Sequence, residues 1–371
     1  MSLKKLSDIR ILAIHQSSDL YGSDRSFLTA LQALKEAGVE ISVVLPMEGP
    51  LSKEIEDSGF NICYQESGYL RKSILKNPIE FMFSSIKTAY NYNKKYKDFD
   101  LIYINTVVCF SAMLALIFTK KQKYIHVREI PTGFLMIFFR LLLKMTGAKL
   151  IFNSIATQSA FKLKGEVVYN GVKGQTSVVN VRSNDFKLRL LIVGRINSWK
   201  GHALLLEALS NIENPVHLKI VGNTIAGQEN IEKELIEYAK DNVETKGHNI
   251  EFCGFTENVS EYYKWCDYLV VPSIHPEPFG RVAIEALSFG KPVIGSDAGG
   301  LAEIVKNNIN GHTFEIGSMN ALIKVIENLE NIDSKKYKEL SGKSLEIFKI
   351  NFSESKYRSS MKSIIKNNCL H

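Results

Sequence analysis

Cysteine is scarce and unpatterned in this 371-residue chain: Cys63, Cys109, Cys253, Cys266 and Cys369 include no C-x-x-C pair and stand near no histidine cluster. That argues against a zinc site of familiar spacing and against a disulfide framework, and it fits a reducing compartment. Long apolar runs are missing too. Behind Lys4 and Lys5 the first apolar run is only Ile9 to Ile14, too short for a signal-peptide core, so the expected location is cytoplasmic. No G-x-G-x-x-G follows either opening strand, which removes the dinucleotide-oxidoreductase fingerprint. No low-complexity stretch points to disorder.

Acidic residues are thin in the first half. Residues 1–178 hold 15 Asp and Glu against 23 Lys and Arg, whereas residues 179–371 hold 24 against 23, so the net charge of +7 belongs to the first half. The basic residues come in loose groups (Arg71, Lys72, Lys76; Lys94, Lys95, Lys97; Lys120, Lys121, Lys123) beside apolar helical segments. This pattern suits an anionic membrane surface better than nucleic acid, with a solvated basic face as the plain alternative. Gly133 to Gly147 (GFLMIFFRLLLKMTG) is interrupted by Arg140 and Lys144 and falls short of the roughly 20 residues that span a bilayer. It is either an interfacial helix with its cations snorkelling or a core helix. The aromatic, lysine-rich segment from Pro78 to Lys97 poses the same choice.

What is present is alternation. Short β-branched runs at Ile9–Ile14, Ile41–Leu45, Leu101–Ile104, Lys123–His126, Leu150–Asn153 and Val167–Tyr169 alternate with segments of helical length. The polar, glycine-containing stretch 170–187 breaks the pattern and reads as a linker. Strands resume at Leu188–Val193, Leu218–Val221, Ile250–Phe252, Tyr268–Val271 and Val293–Gly295. Alternating strands and helices predict α/β architecture with parallel sheets in two Rossmann-like domains. The expected boundaries are residues 1–175, residues 176–345, and a C-terminal helix in 346–371.

The richest segment runs from Pro272 to Leu287 (PSIHPEPFGRVAIEAL), directly after the strand Tyr268–Val271. Ligands of open parallel sheets bind beyond the carboxyl ends of strands, so a site belongs here. Pro272, Pro276 and Pro278 stiffen the loop, and a helix is expected from about Phe279, with a buried stripe of Val282, Ala283, Ala286 and Leu287. Its unpaired first amides favour phosphate. Glu285 falls outside the stripe and Glu277 precedes the helix. At about 1.5 Å per residue the two acids are too far apart for a retaining-glycosidase pair, whose carboxyls lie about 5 Å apart. They suit opposite ends of one elongated ligand: Glu277 on sugar hydroxyls, Glu285 on a ribose diol, and the amides of Gly280, Arg281 and Val282 on a diphosphate between them. Helix capping and a solvated helix face would explain either acid taken alone.

This Glu-x7-Glu segment resembles the signature of glycosyltransferase family 4, retaining enzymes of the GT-B fold with two domains facing across a cleft. Gly299-Gly300 with Glu303, and the block Val193 to Gly201 containing Arg195 and Lys200, are similar to further blocks of that family. The resemblance implies that Arg195 and Lys200 are diphosphate-binding cations stabilising the leaving group, a role two fixed charges past a strand end can fill. It implies donor contacts from Gly22, Ser23, Lys200, Glu277, Phe279, Gly280, Arg281, Val282 and Glu285. Gly22 stands in the first glycine place of the loop Leu20 to Phe27, and Ser23 replaces the second, with helix capping as its simpler role. His126 looks like the family's first-domain histidine that reaches the donor sugar across the cleft. Asn105, Thr106, Arg128 and Glu129 line the same edge as acceptor-side candidates.

The expected activity is transfer of a sugar from a nucleotide diphosphate sugar to a glycan or lipid-linked acceptor, with retention and in bacterial surface-polysaccharide assembly such as O-antigen, capsule or lipopolysaccharide. No cofactor and no metal are expected. Asp98-Phe-Asp100 has the look of a manganese motif but precedes its strand, at the wrong end of the sheet, and reads as the turn leading into it. No nucleic-acid partner is expected, and any membrane contact would be peripheral, at the cytoplasmic face. A nucleotide-sugar epimerase of the same architecture is the nearest alternative, and a two-lobed solute-binding protein the next.

Overall fold

The computed structural model describes residues 8–66, 78–175, 188–224 and 227–369. Arg71, Lys72 and Lys76 of the first basic group, and residues 176–187 of the expected linker, lie outside them. Two compact units divide the chain: Met1–Gly171 with Glu354–His371, and Val172–Ser353.

In unit 1 the strands are β1 (Arg10–His15), β2 (Glu40–Leu45), β3 (Asn61–Tyr64), β4 (Leu101–Asn105), β5 (Gln122–Val127), β6 (Lys149–Phe152) and β7 (Glu166–Val167). Between them run helices α1 (Gly22–Glu36), α2 (Pro50–Asp57), α3 (Pro78–Tyr96), α4 (Phe110–Leu116), α5 (Phe134–Thr146) and α6 (Ile155–Phe161). Unit 2 holds β8 (Leu188–Val193), α7 (His202–Leu209), β9 (Val216–Val221), α8 (Glu229–Tyr238), β10 (Asn249–Gly254), α9 (Ser260–Trp265) and β11 (Tyr268–Val271). It continues through α10 (Arg281–Ser288), β12 (Val293–Ser296), α11 (Leu301–Ile304), β13 (Gly311–Phe314), α12 (Met319–Asn328) and α13 (Ser334–Ile347). The chain ends in α14 (Glu354–Cys369), which belongs to unit 1.

Every strand pairing within the two sheets is parallel. The orders are β3-β2-β1-β4-β5-β6-β7 and β10-β9-β8-β11-β12-β13. Both reverse direction of growth after their first three strands, between β1 and β4 and between β8 and β11. At such a switch point the crossover helices leave to opposite faces and the loops at the carboxyl ends diverge, opening a crevice.

Central strands are mostly apolar because both faces are covered, with Arg10, His15, Asn105 and Arg189 as the polar exceptions in β1, β4 and β8. On one face of the first sheet Phe27, Leu31 and Leu34 of α1 meet Leu51 and Ile55 of α2 and Tyr357, Met361 and Ile365 of α14. On the other, Tyr92 and Tyr96 of α3, Met113 of α4 and Phe139, Leu142 and Leu143 of α5 form a second layer. Unit 2 has its own core of Leu190, Leu205, Leu218, Val270, Ile294 and Leu322.

Strands β3 and β13 have no counterpart in the alternation read from sequence. Both are four-residue edge strands with exposed or half-buried positions, so neither carries the apolar run of a covered strand. The division between units falls at Gly171/Val172 and Ser353/Glu354, where the sequence suggested 175 and 345. The later boundary arises because α13 and the turn Phe348–Phe352 pack on α10, whereas α14 packs on α1.

Helix α14 is held by its apolar face and by polar ties at the rim: Arg358 to Glu36 (2.8 Å) and Gln32 (2.7 Å), and Lys362 to Glu36 (2.6 Å). Lys362 beside Glu36 holds that carboxyl below its ordinary pKa. Exposed pairs of this kind contribute little, so burial dominates, at about 1.5–3 kcal/mol for each large apolar side chain. Met361→Ala is therefore expected to destabilise unit 1 by about 2–5 kcal/mol, while Lys362→Ala costs under about 1 kcal/mol. Urea unfolding followed by far-UV circular dichroism checks both values.

Candidate functional site

Polar side chains collect at both switch points. In unit 2 the strand β11 ends at Val271 and Ser273 and Glu277 follow, both buried. Glu277 Oε1 accepts from Ser273 Oγ (2.6 Å) and from Lys200 Nζ (2.6 Å). Among the described residues no hydrogen bond reaches Oε2, which leaves one carboxylate oxygen for a ligand. Lys200 arrives from the loop between β8 and α7, its amide bonded to Asn197 Oδ1 (3.0 Å) and its ammonium 4.3 Å from the centre of the Trp199 ring. Sequence reasoning set Lys200 and Glu277 on different parts of a ligand; without one they neutralise each other.

The Gly299-Gly300 pair forms the back wall of this loop. The Glu277 carbonyl accepts from Gly300 N (2.7 Å), and Glu277 makes a parallel bridge with Gly299. Gly299 has φ +63°, and a Cβ there would stand 2.3 Å from the Glu277 carbonyl oxygen. A Cβ on Gly300 would stand 2.5 Å from Phe279 Cα. The glycines let two loops touch backbone to backbone and so fix Glu277 and Phe279.

Helix α10 starts at Arg281 with Gly280 as its N-cap in the left-handed region. The buried stripe is Ala283, Ile284, Ala286 and Leu287. Val282, assigned to that stripe from sequence, is half-buried and Ile284 takes its place. The helix is covered from more than one side, by β11, β12 and α13, so the stripe is wider than one-sided periodicity implies. The start of α10 follows directly on the loop that carries Glu277, and Ala283 N donates to Gly280 O (3.0 Å). Half-buried Glu285 binds Arg281 Nε through Oε1 (2.9 Å) and Tyr263 OH through Oε2 (3.0 Å). Tyr263, fully buried and stacked on Phe289, thus orients a carboxylate that sequence reading left without a support. Arg195 lies exposed on the loop after β8, where Ile196 N donates to Asn223 O (2.9 Å).

In unit 1 His15 and Asn105 end the paired strands β1 and β4 and stand side by side. Asp24 Oδ1 accepts from His15 Nε2 (2.7 Å), so His15 Nδ1 accepts from Asn105 Nδ2 (2.9 Å). Arg128 is the hub: its guanidinium donates to Asn105 Oδ1 (2.7 Å), Asn170 Oδ1 (2.6 Å), Tyr357 OH (3.1 Å) and His126 Nδ1 (3.2 Å). His126 Nδ1 also receives Tyr103 OH (2.9 Å). With Nδ1 an acceptor, the proton sits on Nε2, which is buried and has no hydrogen-bond partner among the described residues. Burial, then the Arg128 charge, push His126 well below the ordinary histidine pKa, so the ring is neutral.

Thr106 and Asn105 are fully buried, and Arg128 nearly so. Their polar atoms are spent on this network. Thr106 has φ +99°, outside the comfortable range for a β-branched residue, and is pinned by its amide to His126 O (2.8 Å) and its hydroxyl to Glu129. Burial raises the Glu129 pKa, while the Thr106 hydroxyl and the Val107 and Arg128 amides act against that shift. Gly22 and Ser23 are half-buried in the first turn of α1. The capping role assigned to Ser23 belongs to Asp24, whose Oδ2 accepts from Tyr21 N (2.8 Å), because Ser23 lies inside the helix and donates to Asp24 Oδ1 (3.1 Å). Asp24, His15, Tyr103, Asn170 and Tyr357 escaped sequence reasoning. The only local signal was that His15 ends a strand next to a switch point.

Asp98–Asp100 forms the turn into β4: Asp100 N donates to Arg10 O (2.9 Å) and Asp100 Oδ2 accepts from Arg10 N (3.0 Å). Among the described residues no group of three His, Cys, Asp or Glu side chains could hold a metal ion.

The chain is similar to known proteins in sequence and in fold. Residues 176–344 match the family of glycosyl transferases group 1. An uncharacterized glycosyltransferase of Methanocaldococcus jannaschii is 34% identical over 164 residues, 40% of each chain. A 41.2 kDa protein of the cps region of Klebsiella pneumoniae is 28% identical over 333 residues, covering 84% of this chain and 79% of that one. The match to the Methanocaldococcus protein thus spans less than half its length, whereas the Klebsiella match is nearly full-length. The crystal structure of Anabaena HepE in complex with UDP superposes with a TM-score of 0.80 at 21% identity, over 97% of this chain and all of that one. The fold is GT-B, two Rossmann-like domains with parallel sheets.

Two outcomes test the unit 2 framework. Gly299→Ala adds a backbone clash to left-handed strain and is expected to cost about 2–4 kcal/mol, against about 1 kcal/mol for Gly317→Ala, where φ is +75° but no atom lies within 4 Å. Urea denaturation measures the difference. His202, the first residue of α7, is buried with no partner for either ring nitrogen among the described residues, and burial, with the Lys200 charge second, pushes its pKa down to about 4. Its contribution to stability is intact above about pH 6.5 and is lost as pH falls towards 4, at about 1.4 kcal/mol per unit. His202→Gln should flatten the pH dependence of unfolding by about 2 kcal/mol between pH 7.5 and 5, and an unchanged slope would refute the assignment.

Proposed function

We propose that this protein is a retaining, metal-independent glycosyltransferase that moves a sugar from a nucleotide diphosphate sugar to a glycan or lipid-linked acceptor in bacterial surface-polysaccharide assembly, at the cytoplasmic face of the membrane. The observation that carries the reading is the Glu277 carboxylate, fixed through one oxygen by Lys200 and Ser273 and open at the other, beside the N-terminus of α10 and at the switch point of a unit matching the glycosyl transferases group 1 family. The near full-length likeness to a cps-region protein supports the polysaccharide setting.

On this reading the donor docks on unit 2. Its diphosphate lies at the amides of Gly280, Arg281 and Val282, with Arg195 and Lys200 as counter-charges. Glu285, held by Arg281 and Tyr263, accepts from the ribose diol, and Glu277 accepts from sugar hydroxyls through Oε2. Lys200 then exchanges part of its pairing with Glu277 for the diphosphate. Unit 1 serves the acceptor, and the neutral His126 offers its Nε2 proton to a sugar hydroxyl. In the transfer step the bond between anomeric carbon and diphosphate oxygen breaks, with oxocarbenium character. The acceptor hydroxyl bonds to the same face, and its proton passes to the departing phosphate. The positive groups stabilise charge as it develops there, which is where donors and cations contribute most.

The deciding experiment incubates the protein with UDP-, GDP- and dTDP-sugars and lipid-linked glycan acceptors in EDTA, and reads the product's linkage and anomer by NMR. Transfer with the donor's anomeric configuration is expected. Inversion, or activity only with added manganese, would overturn those parts of the proposal; conversion of the donor without acceptor would mark an epimerase. Glu277→Gln and Lys200→Ala should each lower kcat about 10²–10³-fold with circular dichroism unchanged.

A further inference from the structure

Unit 1 carries an apolar surface that none of its described residues covers. Helices α3, α4 and α5 pack side by side on one face of the sheet, linked by the ring contacts Phe81–Phe110 (5.7 Å) and Phe110–Phe138 (5.7 Å). Helix α5 is apolar on both sides. Phe139, Leu142 and Leu143 face the core, while Phe134 (77% exposed), Ile137, Leu141 and Met145 form an outward stripe at spacings of three and four residues. Phe83 (64% exposed) and Ile86 on α3, and Phe118 (74% exposed) just past α4, extend it across the layer. A surface helix of a water-soluble body normally turns charge outward, so a stripe of this extent marks an interaction face.

Charge identifies its occupant. The segments 78–97, 110–123 and 133–149 that build the layer contain ten Lys and Arg and one acidic residue, Glu80. Lys87, Lys120 and Lys144 are exposed among the apolar residues, and Arg140 is anchored by its guanidinium to Ala160 O (2.9 Å) on the flank of α5. Among the described residues no helix is long and apolar enough to cross a membrane. Apolar side chains rimmed by cations, without a spanning helix, fit the boundary between anionic headgroups and acyl chains. The amino ends of α3 and α5 lie on the side of the sheet where its strands present their carboxyl ends, α5 starting eight residues after His126.

We propose that the outward faces of α3, α4 and α5 dock on an anionic lipid bilayer, with Phe83, Phe134, Ile137 and Leu141 entering the interface and the lysines meeting phosphate headgroups. This deepens the reading of a lipid-linked acceptor, since it holds the acceptor end of unit 1 at the surface where such a substrate is embedded. Docking itself requires no turnover, so the two can fail separately.

The test is co-sedimentation of the full chain with vesicles of phosphatidylcholine alone and of phosphatidylcholine with 30% phosphatidylglycerol. At least tenfold tighter binding to the anionic vesicles is expected, weakened by 0.5 M NaCl. Phe134→Asp with Ile137→Asp should reduce binding at least tenfold without changing the circular dichroism spectrum. Phe134→Trp should show a blue-shifted emission only with anionic vesicles, quenched by brominated lipid. Equal affinity for both vesicles, or none for either, would overturn the proposal. So would a dimer in analytical ultracentrifugation that the double Asp variant makes monomeric, because the stripe would then be covered by a second copy. Absence of vesicle binding by the unsubstituted chain, with transfer to a soluble acceptor intact, would sink this inference alone, and vesicle binding without any transfer would sink only the catalytic reading.

Discussion

Both units depend on one constraint of parallel sheets: strand pairing must reverse its direction of growth once, and where it reverses the covering helices part. Between β1 and β4, and again between β8 and β11, the carboxyl ends of two neighbouring strands are left open. Elsewhere along these sheets backbone groups are paired and side chains are packed, so polar residues would be costly. At the two reversals they can be used. His15 and Asn105 occupy one, and the loops bearing Lys200 and Glu277 occupy the other.

The two places are furnished in different ways, and the difference follows from burial. In unit 1 the polar groups are almost wholly enclosed, and they form a chain from Asp24 through His15 and Asn105 to Arg128 and His126 in which nearly every donor has an acceptor. Such a network is rigid because breaking any link leaves a buried group unpaired. It fixes the tautomer of His126 and leaves one polar atom unspent, Nε2. In unit 2 Glu277 is as buried as Arg128, but its charged neighbours Lys200, Arg281 and Glu285 are half-buried and Arg195 is exposed, at loop ends and on the first turns of a helix. Their order comes from backbone contact between loops, above all where Gly299 and Gly300 lie against Glu277 and Phe279.

How much of this the sequence carried depends on how local each signal is. Covered strands such as Leu188–Val193, apolar but for Arg189, and Tyr268–Val271 were legible almost to the residue, whereas the edge strands were not: Asn61–Tyr64 is exposed or half-buried throughout, and Gly311–Phe314 offers only two buried positions, one of them a glycine. Glu277, Lys200 and Glu285 could be found because they lie in stretches with a recognisable spacing. That Glu277 and Lys200 touch is a long-range fact: 77 residues separate them, and no periodicity encodes the pair. Asp24 and Tyr357 were invisible for the same reason. Asp24 caps α1 by accepting from Tyr21 N, and its second bond, to His15, exists only with β1 folded back beside α1. Asn105 and Thr106 were placed at the right edge, but not recognised as enclosed.

Arg128 shows why the last helix must return to the first unit. A buried guanidinium has five donors in a rigid plane and is tolerable when most of them are met, as four are here. Asn105 comes from the end of β4, His126 from β5, Asn170 from the end of the unit's first segment, and Tyr357 from α14, more than two hundred residues away in sequence. Tyr357 also donates to Ser26 O on α1 (3.2 Å), so one phenol closes the network against the helix that carries Asp24. A lysine could not span these directions, and without α14 one arm of the fork would lose its acceptor in an apolar surrounding. The return of the chain therefore does more than cover the apolar face of α1: it completes the hydrogen bonding on which the orientation of His126 rests.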